Sequence, residues 1–182
     1  PYLGLALYPF ADKLRFSKVK VGLFIFLLLF FQTSLGIYAT TCSQGQKGML
    51  SLISTLCYGI FYFFVVKETP GKLIFVLLIV SNFANFIVIC AKWMEAQIFP
   101  KMVFDNNSWS FSLCTFVAQI IFIPMLFIYF RKYIKEIATI ETGRKVWRIL
   151  WLIPATFYLF WYHGLYFNSQ STIALAMNPA NV

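Results

Sequence analysis

Five apolar runs, each about 20 residues long, alternate with short polar connections along the chain. They occupy residues 21–39, 49–66, 73–90, 110–130 and 146–167. A helix of about 20 apolar residues crosses the ~30 Å hydrocarbon core of a bilayer and satisfies its own backbone hydrogen bonds there. The runs lack the apolar–polar alternation of membrane β-barrel strands. The pattern therefore predicts an all-α fold, a polytopic transmembrane helical bundle with five complete spans in a single domain.

The connections and the two ends extend this prediction. Residues 91–109 form the longest connection and are expected to be irregular. After residue 130, apolar positions recur at helical spacing, so the fourth helix is expected to continue near the membrane surface and to end near Gly143. Residues 1–10 resemble the last turns of an earlier helix, and residues 174–182 resemble the start of another span. We therefore expect a chain that is truncated at both ends.

The composition favours lipid over water as the solvent. The chain has 182 residues, of which 60% are hydrophobic and 12% are charged. A soluble domain is about half apolar and about a quarter charged. The net charge of +9 is large, but the basic residues form short clusters between the apolar runs. That arrangement is typical of membrane proteins, so we expect a lipid bilayer as the partner and no nucleic acid.

The distribution of Lys and Arg predicts the orientation. When the segments between runs are assigned to alternate sides, one side carries 12 of the 15 basic residues and the other carries 3. Basic residues accumulate on the cytoplasmic side of a membrane protein. Residues 1–20 are therefore expected in the cytoplasm, and the residues after 167 on the outside.

No motif for catalysis or metal binding stands out. The four cysteines lack C-x-x-C spacing, and His163 is the one histidine, so we predict no metal site. Whether Cys42 forms a disulfide is not decided by the sequence. A phosphate-binding loop, a serine-nucleophile motif and a carboxylate pair inside a span are all absent, so we predict no catalytic residues and no cofactor in this chain.

Polar side chains inside the runs are the first candidates for function. Asn85 lies three residues after Asn82 and four after Ser81, so the three are expected on one face of the third span. Gln119 stands alone in the fourth span. Such residues commonly form hydrogen bonds between helices, and the alternative is a ligand or ion site.

Two other patterns predict local packing and shape. Ser51, Thr55 and Gly59 repeat every four residues in the second span, which favours close approach of a neighbouring helix. Pro124 and Pro154 each remove a backbone hydrogen bond, so both are expected to kink their helices.

The connection after the third span contains the candidate ligand-binding residues Lys92, Trp93, Glu95 and Trp109. Aromatic side chains together with both signs of charge suit an extracellular peptide or a small amphipathic ligand. The alternative is a solvated loop whose tryptophans anchor it at the membrane interface.

Several segments resemble one protein family. They are YFRKYIK at 129–135, WRILWLIP at 147–154, FY at 157–158, NFANFIV at 82–88 and WSFSL at 109–113. These segments resemble the membrane sensor region of bacterial GHKL-type sensor histidine kinases, the group that includes the accessory-gene-regulator quorum-sensing receptor. The resemblance implies a sensor in the bacterial cytoplasmic membrane, a homodimer, and a kinase domain with its ATP site outside this chain.

The favoured hypothesis for function is therefore a multi-pass signal-sensing module. A ligand is expected to shift helix packing through Asn82 and Asn85, and the kinked fourth and fifth spans are expected to pass that shift inward. The alternative is a small transporter or permease. That function requires a polar path through the bundle, which the amides and hydroxyls in the spans supply only sparsely.

Overall fold

A computed structural model of the protein describes residues 2–39, 41–42, 44–102, 109–136 and 144–166. Within them the chain forms helices joined by short turns, and they are α1 (Tyr2–Leu7), a 3-10 helix (Tyr8–Lys13), α2 (Lys18–Ala39), α3 (Gln44–Val65), α4 (Pro70–Ile98), α5 (Trp109–Tyr129), α6 (Arg144–Leu150) and α7 (Leu152–Tyr166). The prediction of an all-α chain is confirmed for the described residues.

Four of these helices are long and apolar enough to cross a membrane. They are α2, α3, α4, and α5 with its continuation to Ile134, and they coincide with the first four predicted spans. Most of their apolar residues face outward, including Phe26 and Phe30 on α2, which are 67% and 69% exposed. Such a surface suits lipid, and the prediction of a membrane protein with transmembrane helices is supported.

The predicted fifth span is not one continuous helix. It is divided at Trp151 into α6 and α7, and α7 has 15 residues. Pro154 has no N–H to donate to the carbonyl of Leu150, which is the last residue of α6. The next backbone bond, from Ala155 N to Trp151 O at 3.1 Å, joins α7 to the residue at the break. The count of five spans is therefore not confirmed.

Helix α4 is longer than predicted. Residues 91–98 are helical rather than irregular, so α4 has 29 residues and is about 43 Å long. This segment, AKWMEAQI, is rich in residues with high helix propensity, and the helix ends just before Pro100. The sequence prediction stopped at Cys90 because hydrophobicity falls there, although helix propensity does not.

The end of α5 widens into a π-helical turn at Phe130–Ile134, closed by a bond from Lys135 N to Phe130 O. The chain stays helical to Glu136, in agreement with the expected continuation of the fourth helix. Its expected end near Gly143 lies outside the described residues.

Helix α4 is the centre of the bundle. It packs against α1, α3, α5, α6 and α7, whereas α2 packs on α3. The short helix α1 and the 3-10 helix after it are integral parts of the core, because Leu5 and Ala6 of the first and Phe10 of the second are buried. The Tyr62 hydroxyl of α3 also donates a hydrogen bond to the Ala6 carbonyl at 2.6 Å.

Basic residues gather at one end of the bundle, which we call the basic end and define by Lys13, Lys67, Lys72 and Lys135. There Glu68 lies 3.1 Å from the ammonium groups of both Lys13 and Lys72. Lys135 lies over the ring of Tyr8 at the same end. The segments assigned to the more basic side therefore meet at one end of the molecule, as the sequence predicts for a bundle of antiparallel neighbours.

Acidification should loosen the basic end. Burial opposes ionisation of Glu68, but the hydrogen bonds and charges of Lys72 and Lys13 outweigh it and hold the pKa of this carboxyl below its ordinary value. A lowered pKa stabilises the fold above the unfolded-state pKa, and that contribution disappears as the pH falls through the folded-state pKa. We expect constant thermal stability from pH 8 to about pH 5, with a decline below about pH 4.3.

The matched variant for this prediction is Glu68→Gln, measured by thermal unfolding in lipid nanodiscs. It should lower the free energy of unfolding at pH 7 by about 1 kcal/mol or less, since partly exposed ion pairs contribute little. The difference between the two proteins should shrink below pH 4. A difference that stays constant from pH 8 to pH 3 contradicts the assigned role of Glu68.

Candidate interhelical cavity

A cavity of about 250 Å³ lies inside the bundle between α1, α2, α3, α4 and α7. The apolar part of its lining includes Leu29, Leu77, Val80 and Ala84. The polar side chains of the lining are Tyr2, Ser51, Ser54, Thr55, Tyr58, Ser81, Asn85 and Tyr158. Serine, threonine and asparagine in the middle of spanning helices are costly in lipid unless they are hydrogen bonded, so this concentration marks the site.

Some of these groups bond to one another across helices. The Ser54 hydroxyl donates to Gln32 Oε1 at 2.5 Å, which joins α3 to α2. Thr55 Oγ1 donates to the Ser51 carbonyl at 3.0 Å and lies 3.1 Å from the Tyr158 hydroxyl. Because a threonine hydroxyl has one proton, Tyr158 is the donor in the second bond. This bond joins α3 to α7 beside the cavity.

Three other groups of the cavity have no partner. Tyr58, Ser81 and Asn85 make no side-chain hydrogen bond within the part of the chain that the structure describes. The distance along the helix from Ser81 to Asn85 is one turn, so both face the cavity, as their spacing predicts. Their polar atoms therefore remain available for a molecule inside the cavity.

Asn82 does not share that cavity. Its amide nitrogen donates to the Pro154 carbonyl at 2.8 Å, and its amide oxygen is buried without a partner in the described part of the chain. The Asn82 side chain lines a separate apolar crevice of about 480 Å³ that α4, α5 and α7 enclose. Asn82 and Asn85 thus line different spaces although their spacing predicts a common face, and their action as a packing switch stays a prediction.

Gln119 and Pro124 both lie on α5. The Gln119 side chain is hydrogen bonded to Tyr2 of α1, so it anchors the first helix rather than standing alone. Helix α5 is continuous through Pro124, which lies six residues before the start of the π-helical turn. The predicted kink at Pro124 stays a prediction.

The structure brings two of the four candidate ligand residues together. Lys92 Nζ lies 2.9 Å from Glu95 Oε2, and Glu95 is completely buried between α4 and α5. The Ser110 hydroxyl donates a short hydrogen bond to the other carboxylate oxygen of Glu95. Lys92 also lies 4.2 Å from the centre of the Phe111 ring. Lys92 and Glu95 are thus engaged within the protein.

Trp93 and Trp109 are placed differently. Their side chains are 55% and 59% exposed, and Trp109 packs edge-on against Phe99 with ring centres 5.3 Å apart. They remain accessible to lipid or to a ligand, so the hypothesis that they contact a ligand stays a prediction. All four cysteines are free, Cys42 among them. Within the described residues, no group of acidic, histidine or cysteine side chains is arranged to hold a metal ion.

Sequence reasoning missed the contribution of α1 and α3 to the cavity. Ser51 and Thr55 were interpreted as packing residues, and Tyr58 and Tyr2 were not considered. The available signal was the continuation of the Ser51 and Thr55 face to Tyr58, which lies on the same side of a helix. Tyr2 gave no such signal, because only the tertiary fold brings α1 against α4.

Comparison of the chain with protein-family models, with curated proteins and with solved structures finds no match.

Proposed function

We propose that this chain is the multi-pass signal-sensing module of a sensor histidine kinase in the bacterial cytoplasmic membrane. The observation that carries the proposal is the cavity between the helices, in which Tyr58, Ser81 and Asn85 have no hydrogen-bond partner among the described residues. A polar site without acids or bases nearby suits binding rather than catalysis. The resemblance to GHKL-type sensors supplies the class of protein that would use such a site.

In this proposal the basic end faces the cytoplasm, in agreement with the excess of Lys and Arg there. Residues 1–20 are then cytoplasmic. The kinase domain, its ATP and the surface for homodimer formation belong to parts of the protein outside this chain.

Helix α7 is the element that responds to the ligand. It is held to α3 by the bond between Thr55 and Tyr158, and to α4 by the bond between Asn82 and Pro154. It is separated from α6 by the break at Trp151. A ligand that competes for Tyr158 weakens the attachment of α7 to α3, and the break lets α7 change its angle to α6. Since α6 contacts α4 at the basic end, the change reaches the cytoplasmic side.

Replacing Thr55 by Val tests this mechanism in the full-length kinase reconstituted in lipid nanodiscs. The variant loses the bond to Tyr158 at nearly constant volume. A hydrogen bond contributes about 1 kcal/mol, so autophosphorylation without ligand should change by about fivefold. The matched control is Thr156→Val on α7, since the exposed Thr156 bonds only to the Ile153 carbonyl of its own helix. The control should retain the original rate.

Two results contradict the proposal. Equal rates for Thr55→Val, Thr156→Val and the unmodified protein would remove α7 as the responding element. The absence of phosphorylation from ATP in the full-length protein would remove the kinase assignment altogether.

The transporter alternative is favoured by one observation, namely that the cavity lies among helices that could cross the membrane rather than at a surface. Vesicles that contain the protein would then take up glycerol faster than protein-free vesicles. Asn85→Leu would abolish the difference. Equal uptake in both vesicle preparations argues against transport of small neutral solutes.

A further inference from the structure

The unpartnered groups of the cavity define the chemistry of a molecule that fits it. Tyr58 and Ser81 each offer one hydroxyl, which can donate one hydrogen bond and accept others. The Asn85 amide adds two donors and one acceptor oxygen. In an apolar bundle, such groups are stable only when a bound molecule or water completes their hydrogen bonds. A molecule that binds in the cavity must therefore carry both hydrogen-bond donors and acceptors.

The rest of the lining is uncharged. Among the described residues that surround the cavity, there is no Asp, Glu, Lys, Arg or His. A charged ligand would lose its hydration without meeting an opposite charge, which opposes its entry. The lining thus selects against anions and cations alike.

The lining of the cavity combines polar and apolar side chains. Leu29, Leu77 and Val80 add apolar surface to the hydroxyls of α3. Water alone would complete the hydrogen bonds of the polar groups but would also be held against the apolar side chains, which is unfavourable. A molecule with an apolar body and a polar group satisfies both kinds of lining. At about 30 Å³ per water, 250 Å³ corresponds to about eight waters, so the molecule is small.

We infer that the cavity binds a small uncharged amphipathic molecule, whose polar group both donates and accepts hydrogen bonds at Tyr58, Ser81 and Asn85. This inference rests on the proposed function, since it names the class of the signal for the same site. A primary amide on an aromatic ring, such as benzamide, is a probe of this class. Benzoate has nearly the same shape and carries a negative charge.

Cysteine labelling tests the inference without any assay of signalling. The full-length protein, with Cys42, Cys57, Cys90 and Cys114 replaced by Ala, receives one new cysteine in the cavity. Asn85→Cys is the first reporter. Ala84→Cys is a second reporter that keeps all three unpartnered groups. Two controls are Ile87→Cys, at a fully packed position of α4, and Lys101→Cys, at an exposed one.

Four methanethiosulfonate reagents are compared in nanodiscs. Methyl and benzyl methanethiosulfonate are neutral and differ in size, and the sulfonatoethyl and trimethylammonioethyl reagents are charged. Each rate is normalised to that of Lys101→Cys, which removes differences in intrinsic reactivity. We expect both cavity cysteines to react with the neutral reagents about 100-fold faster than with the charged ones, equivalent to about 2.7 kcal/mol. Benzamide should slow the neutral reaction at least about fivefold, and benzoate at the same concentration should not.

Three results overturn the inference. Equal normalised rates for charged and neutral reagents describe an open, hydrated path without selection for charge. If benzamide does not slow the reaction with the neutral reagents, the cavity holds only water. An absence of labelling at both cavity positions, with Lys101→Cys reactive, describes a cavity that another part of the protein fills.

Failure here is distinct from failure of the proposed function. The autophosphorylation test of Thr55→Val measures the output of the kinase, and the labelling test measures occupancy of the cavity. A kinase that responds to Thr55→Val but whose cavity admits charged reagents keeps its function as a sensor and loses the predicted class of ligand. Selective labelling in a protein without kinase activity retains the ligand class and removes the sensor-kinase assignment.

Discussion

Replacing Lys92 by Met should lower the free energy of unfolding by about 3 kcal/mol, because it leaves the carboxylate of Glu95 buried without its cation. Glu95 has no exposed surface, and Lys92 Nζ lies 2.9 Å from one of its oxygens. Ser110 would remain as a hydrogen-bond donor to the other oxygen, so the loss is smaller than for a fully unpaired charge. Methionine retains most of the apolar length of lysine, which limits the effect to the charge. Reversible unfolding of the protein in mixed micelles measures the change in free energy.

A second substitution separates the charge from the packing. In the double variant Lys92→Met with Glu95→Leu, no buried charge remains, and replacement of a buried ion pair by apolar residues is often neutral. Most of the lost stability should return. The matched single control is Trp93→Phe, an exposed neighbour on α4, which should change stability by less than about 0.5 kcal/mol. A loss in the double variant that equals the loss in Lys92→Met would contradict the ion-pair explanation.

Gly71→Ala should destabilise the protein by about 3 kcal/mol, at the upper end of the usual cost of inserting an atom into packed structure. A Cβ at Gly71 would overlap the carbonyl oxygen of Trp147 and would lie 2.9 Å from its carbonyl carbon. Both are backbone atoms, so no rotation of a side chain relieves the contact. The first turn of α4 would have to move away from α6. The ring of Trp147, which lies 5.4 Å from Lys72 Nζ, would move with α6.

The same substitution elsewhere provides the control. Gly22→Ala lies in α2, and a Cβ there meets nothing within 4 Å. Alanine favours the helical conformation over glycine by about 0.5–1 kcal/mol, so this variant should be as stable as the original protein or slightly more stable. Thermal unfolding monitored by tryptophan fluorescence compares the two variants directly. A stability of Gly71→Ala equal to that of Gly22→Ala would show that α4 and α6 do not approach each other so closely.

The positions of the four long helices follow from hydrophobicity alone, because each must bury its backbone polar groups across a similar thickness of lipid. Hydrophobicity gave the wrong boundary at two places. It ended α4 at Cys90, where the lipid ends and the helix does not. It also joined α6 and α7, since hydrophobicity continues past Leu150, whose carbonyl receives no backbone bond from Pro154.

The candidate site was predictable only where its residues lie on one helix. Ser81 and Asn85 could be assigned to a common face from their spacing, and they do line one cavity. Their position opposite Thr55 and Tyr158 depends on contacts between residues far apart in sequence, which periodicity does not encode. The Lys92–Glu95 spacing of three residues was visible, but its burial against Ser110 required the extension of α4 beyond the predicted end of the span.

Hydrogen bonds between α2, α3 and the residues that flank them limit how this pair of helices can move. Beside the basic end, Arg15 N donates to Val65 O and Lys67 N donates to Lys13 O, each at 2.8 Å. Farther along the pair, Gln32 bonds to Ser54. Helices α2 and α3 thus form a hairpin that is clasped across its open end by backbone atoms. Sliding of α2 along α3 would break all of these bonds at once, whereas rocking of the clasped pair against α4 breaks none of them. The hairpin therefore keeps its register, and a tilt of the pair against its neighbours is opposed by the bonds from Tyr62 to Ala6 and between Thr55 and Tyr158 rather than by its own backbone bonds.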